Sequence, residues 1–77
     1  MKNVGERIKD IMASVFGIDA ALIDEDSSQD NIEQWDSIKT LDLVVSIEEE
    51  FDVSIPLEEV GNMTNFKYIR LILEELA

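Results

Sequence analysis

The residues whose types and spacing invite a chemical reading here are serine, aspartate and glutamate, in a chain that holds no cysteine and no histidine. The common general base, the common metal ligand, a thiolate site and every Ser-His or Cys-His arrangement are therefore excluded. Three groups remain. Ser37 follows Asp36 and Trp35 directly after a long acidic stretch and opens an apolar-periodic segment. A hydroxyl at such a helix start is exposed, and a phosphate attached to it would lie near unpaired first-turn amides and the positive end of the helix dipole. Without a base beside it, Ser37 is a poor nucleophile on its own account but a well-placed attachment point for a phosphate-linked group added by another enzyme. The plainer alternative, that Asp36 or Ser37 is only a helix cap, stands beside it.

The second group is the acidic run from Asp24 through Asp26, Ser28 and Asp30. Read as an EF-hand loop begun at Asp24, it puts Gln29 where the sharp turn needs glycine and Trp35 where the bidentate glutamate belongs. No metal-ligand set is expected, only a solvated acidic loop. The third group, Glu48, Glu49 and Glu50, is consecutive on a helix and fans out over different faces, so it cannot converge on one bond as an acid/base pair. No catalytic residue is expected, and the chain reads as a non-enzyme.

The elements that must position these residues follow from periodicity. Val4, Ile8, Ile11, Met12, Val15 and Phe16 form a helical stripe, with Asn3 and Glu6 spaced as a capping box and Gly17 as the stop. Residues 17–36 are turn-forming and acidic; a connection this long should be anchored, and Leu22 and Ile23 are the expected pins, through a short helical turn. The second helix spans Ser37 to Phe51 behind Asp36 as N-cap. Its apolar residues cover roughly 220° of the helical wheel, about twice what one core stripe needs. Leu43, Val44, Ile47 and Phe51 should face the core. Ile38, Leu41 and Val45 should lie nearer the edge beside Asp42, Glu48 and Glu49, an apolar patch rimmed by carboxylates that suits docking. Val53 to Pro56 reads as extended, because a residue before proline is steered out of the helical region. Leu57 to Val60 is at most a short helix before Gly61 and Asn62. The last helix is capped by Thr64 or Asn65 and carries Phe66, Ile69, Ile72, Leu73 and Leu76. The expected fold class is all-α, a small four-helix bundle of three long helices and one short one, with residues 1–77 as a single domain.

Composition narrows the partners. In 77 residues, 18 Asp and Glu face 6 Lys and Arg, a formal net charge of −12. Such a surface repels phosphate backbones and anionic headgroups, so nucleic-acid and membrane partners are not expected, and a protein presenting Lys and Arg is. Apolar residues make up 45 % of the chain, enough for one small core. No run approaches the roughly 18 apolar residues of a membrane span. The opening residues, Met1 to Arg7, lack the apolar stretch of a signal peptide, which leads to the expectation of a cytoplasmic monomer.

Taken together, Trp35-Asp36-Ser37-Ile38, Leu41-Asp42-Leu43-Val44-Val45 and Ile47-Glu48-Glu49-Glu50-Phe51 resemble an acyl carrier protein. Phe16-Gly17-Ile18, Val53-Ser54-Ile55-Pro56 and Met63-Thr64-Asn65-Phe66 extend the likeness over nearly the whole chain. The resemblance implies an acyl-carrier-protein-like bundle carrying 4'-phosphopantetheine as a phosphodiester on Ser37, beside the motif residue Asp36. A phosphopantetheinyl transferase (holo-carrier synthase) would add the arm from coenzyme A. The arm's thiol would then carry acyl groups as thioesters between acyl-loading and acyl-processing enzymes of fatty acid, polyketide or related lipid metabolism. By the same resemblance, Ile38, Leu41, Asp42, Val45, Glu48 and Glu49 would meet basic and apolar patches on those partners. Three positions depart from the usual pattern. Ile38 replaces leucine, Lys39 stands where fatty-acid carriers generally have an acid, and Trp35 is more typical of carriers dedicated to specialised pathways. A stand-alone specialised carrier is therefore the expectation. An aminoacyl or peptidyl carrier, an unmodified acidic adaptor for a basic protein, and an ion-binding loop domain are the alternatives.

Overall fold

In the computed structural model, which describes residues 3–76, the elements run α1 (Val4–Phe16), a 3₁₀ turn (Ala20–Leu22), α2 (Ser37–Phe51), α3 (Leu57–Val60) and α4 (Phe66–Leu76). The expected all-α bundle, with three long helices and one short one, is what the chain forms. Each long helix begins on the side chain the sequence points to. Asn3 Oδ1 accepts from the Glu6 N–H at 2.9 Å, Asp36 Oδ1 from Lys39 at 2.8 Å and Asn65 Oδ1 from Tyr68 at 2.8 Å. Each satisfies an amide that has no partner within its own helix.

The helices end by different devices. Gly17 takes the left-handed conformation (φ 70°) and returns its N–H to the Ala13 carbonyl, a turn that a side chain would strain. Asp52 does the same at the end of α2 (φ 55°) without being glycine, its N–H bonded to the Glu48 carbonyl.

One buried cluster joins the elements: Ile8, Met12 and Phe16 of α1, Leu43, Val44 and Ile47 of α2, and Phe66, Ile69, Ile72 and Leu73 of α4. Met63, Ile55, Ile23, Ile32 and Trp35 complete it from the connections. α1 packs on both α2 and α4, whereas the backbone of α3, among the described residues, lies close to α2 alone. Burying side chains of this size stabilises by about 1.5–3 kcal/mol each before chain entropy is set against it.

One expectation needs correction. Leu22 does not pin the long connection: it is 68 % exposed, and Ile23, Ile32 and Trp35 are buried in its stead. The 3₁₀ turn explains this, because it directs Leu22 outward as Ile23 turns in. Phe51 faces the core as expected, packed half-buried against it with the Arg7 guanidinium 4.2 Å over its ring. Leu76, the last residue of the α4 stripe, lies at its exposed end.

The connection between α1 and α2 is knitted to the head of α4. Gln29 N–H donates to the Thr64 carbonyl and Phe66 N–H to the Ser27 carbonyl, both at 2.9 Å, around an isolated antiparallel bridge between Ser28 and Asn65.

Candidate functional site around Ser37

Asp36 is the cap of α2 and Ser37 its first helical residue, which separates two roles that the sequence left joined. The Asp36 carboxylate takes the Lys39 N–H, and the Asp36 carbonyl takes the Thr40 N–H at 2.9 Å. Ser37 is thus not needed as the cap, and its side chain is exposed. At this position the hydroxyl sits where the first-turn amides and the helix dipole favour an attached negative group.

The ground under Ser37 is held by Thr40, which is only 6 % exposed. Its Oγ1 accepts from Trp35 Nε1 at 2.9 Å and from Gln29 Nε2 at 3.1 Å, and donates to the Asp36 carbonyl at 3.0 Å. One hydroxyl therefore ties the preceding loop, the buried indole and the first turn of α2 together. The Trp35 ring in turn lies against Phe16, centroids 5.2 Å apart. Sequence reasoning did not single out Thr40 or Gln29. The available signal was a threonine four residues after the cap, placed to bond back to a carbonyl one turn earlier.

Beside Ser37 lies a cleft of about 280 Å³, lined by Ser37, Thr40 and Leu41 of α2, Gln29 and Thr64 of the connections, and Val60 and Gly61 at the end of α3. A larger, shallow depression of about 660 Å³ between α1 and α2 touches Arg7, Asp10, Ile11, Ser46 and Glu49. Ser46 is two and a half turns along α2 from Ser37, roughly 14 Å at the helical rise. The smaller cleft is the one that matters for chemistry at Ser37, because Ser37 itself lines it.

The stripe expected for docking runs down the outer face of α2. Ile38, Leu41 and Val45 are 71 %, 57 % and 54 % exposed, and Asp42 and Glu49 are exposed among them. Glu48 is placed differently. It is half-buried, and its Oε2 accepts the Ile55 N–H at 2.7 Å, so its carboxylate holds the extended link after α2. The acidic loop bonds to itself: exposed Asp24 Oδ1 accepts from the Asp26 N–H, and buried Ser27 Oγ accepts from the Asp24 N–H. Among the described residues no group of three or more acids is arranged to hold a metal ion. No described helix is long and apolar enough to cross a membrane.

One titratable side chain near the cleft is shifted. The Tyr68 phenol donates to Glu59 Oε2 at 3.0 Å. That bond, then partial burial and the Glu59 charge, hold the phenol above its ordinary value.

The fold is a small helical bundle with an exposed serine at the head of its second helix, and comparison with known proteins gives its class. The sequence matches the family described as "Phosphopantetheine attachment site" over residues 6–67. It is also 40 % identical over 78 residues to the acyl carrier protein of Clostridium acetobutylicum, covering 94 % of this chain and 99 % of that protein. The chain belongs to the acyl carrier protein family. The cofactor of that family is phosphopantetheine, and the exposed first-turn hydroxyl, the dipole behind it and the adjoining cleft suit such a group. Members of the family are carriers and not catalysts, and they work with a phosphopantetheinyl transferase and with biosynthetic enzymes.

Proposed function

We propose that Ser37 is the attachment point of the phosphopantetheine arm, and that the protein carries acyl groups as thioesters on it. The observation that supports this most is the division of labour at the head of α2, where Asp36 alone caps the helix and leaves the Ser37 hydroxyl exposed. Ser37 Oγ would bond to the pantetheine-side phosphorus of coenzyme A as the pyrophosphate linkage breaks and adenosine 3',5'-bisphosphate leaves. With no histidine in the chain, the Ser37 proton would go to a base on the transferase. The thiol that the chain lacks arrives with the arm.

Ile38, Leu41, Asp42, Val45 and Glu49 make the partner face, an apolar strip with acids that pair with Lys and Arg on the enzymes served. The net charge of −12 steers such transient encounters more than it tightens them. Glu48 belongs to the fold as much as to that face. Residues 1–77 form one carrier domain, acting as a monomer in the cytoplasm. Trp35 and Lys39, which depart from the pattern of fatty-acid carriers, favour a dedicated pathway over primary fatty acid synthesis.

The test is intact-protein mass spectrometry after incubation with coenzyme A, magnesium and a broad-specificity phosphopantetheinyl transferase. The expected result is a gain of one phosphopantetheine, mapped by fragmentation to Ser37. Ser37→Ala should keep its helical signal and gain nothing. Loading of the alanine variant would move the site elsewhere, and no loading of the folded native protein would favour an unmodified adaptor.

A further inference from the structure

α3 is the most lightly held helix of the bundle, yet it forms one wall of the cleft beside Ser37. None of its four residues is buried, Leu57 is 86 % exposed, and Pro56 before it supplies no side-chain cap. Among the described residues its backbone lies close to α2 and to no other element, and its half-buried Val60 rests against the core. Across the gap to α4 it is tied by the hydrogen bond from Tyr68 Oη to Glu59 Oε2, both residues half-buried, with the Asn62 side chain just past α3 also at the phenol. Glu59 immediately precedes Val60, the α3 residue that lines the cleft, and Gly61, which follows the helix and lines it too. Any displacement that widens the cleft by moving Val60 therefore draws Glu59 away from Tyr68.

We propose that Tyr68 is a positioning residue that sets how far the cleft beside Ser37 opens to the apolar part of a thioester cargo, by latching α3 through Glu59. This rests on the reading of Ser37 as the attachment site. In the latched form the cleft measures about 280 Å³. Short cargo leaves the latch closed, whereas a long acyl chain gains burial only by breaking it. The hydrogen bond has a charged acceptor and belongs to the stronger kind, so its removal frees α3 appreciably.

Two measurements test this. Amide hydrogen exchange on the unmodified protein should show the Asn62 and Met63 N–H groups, bonded to the Glu59 and Val60 carbonyls, exchanging about five- to tenfold faster in Tyr68→Phe. Amides of α1 should keep their native rates. Glu59→Gln, which retains an acceptor, should fall between. The melting temperature is then compared for the hexanoyl and dodecanoyl thioesters, and the gain from the longer chain should be larger in Tyr68→Phe than in the native protein. Unchanged exchange at Asn62 and Met63, or equal gains in the two proteins, overturns the latch. Failure of folded protein to load at Ser37 overturns the attachment site and the cargo claim with it, an outcome that mass spectrometry reads separately.

Discussion

At the scale of residues, the head of α2 shows how neighbouring polar side chains take separate tasks. Asp36 closes the helix, Ser37 stays free, and Thr40 binds the loop to the first turn. The Thr40 hydroxyl is saturated, with two donors and one acceptor around it. Replacing it by valine would keep the shape and leave the buried Trp35 N–H without a partner, at a cost of about 1–3 kcal/mol. Urea unfolding followed by Trp35 fluorescence should show that loss, while loading at Ser37 persists in the folded fraction. A Thr40→Val protein as stable as the native one would show that the indole finds another acceptor. Glu48 carries a warning for alanine scanning of the partner face. Its substitution releases the Ile55 N–H as well as removing a surface charge, so weaker partner binding there mixes fold with recognition.

At the scale of elements, the wide apolar arc of α2 resolves into two faces. Leu43, Val44 and Ile47 enter the core, and Ile38, Leu41 and Val45 stand exposed. α3 is the opposite case, resting on the core through the half-buried Val60 with no fully buried side chain, and its tie to α4 depends on the protonation of Tyr68. Because the folded state raises the Tyr68 pKa, chiefly through Glu59, this bond contributes fully below the ordinary tyrosine range near 10.0. It is lost as pH rises through the folded value, where a phenolate would face the Glu59 carboxylate with Glu75 adding to the repulsion. Alkaline titration should therefore speed exchange at Asn62 and Met63 more than simple base catalysis does. In Tyr68→Phe that extra acceleration should vanish. An identical pH profile in the two proteins would contradict the assignment.

At the scale of the whole molecule, charge is the dominant feature. Arg7 is placed against Glu50, and Arg70 against Glu25 and Glu74, exposed or half-exposed pairs that contribute little each. They leave most of the 18 acids uncompensated. Self-repulsion should weaken the fold at low ionic strength, and salt at physiological strength, with a Debye length of about 8 Å, should relieve it. A relief of about 1 kcal/mol corresponds to a rise of about 4–8 °C in melting temperature for a domain of this size. A melting temperature that stays flat from low to physiological salt would show that the acids are spaced too widely to matter.

The helices, their caps and the serine that heads α2 were legible in the sequence because they depend on neighbours a few residues apart. Periodicity sets which face is apolar, and Asn3, Asp36 and Asn65 stand within a turn of the amides they cap. What the connections do was decided by the tertiary structure. Leu22 and Ile23 are adjacent and equally apolar, and only the 3₁₀ turn determines that Ile23 goes in and Leu22 stays out. The join of Ser27 and Gln29 to the head of α4, the hold of Glu48 on Ile55 and the Tyr68–Glu59 tie all couple different segments of the chain. Such contacts leave no periodic trace, because they form only once packing has brought the segments into register.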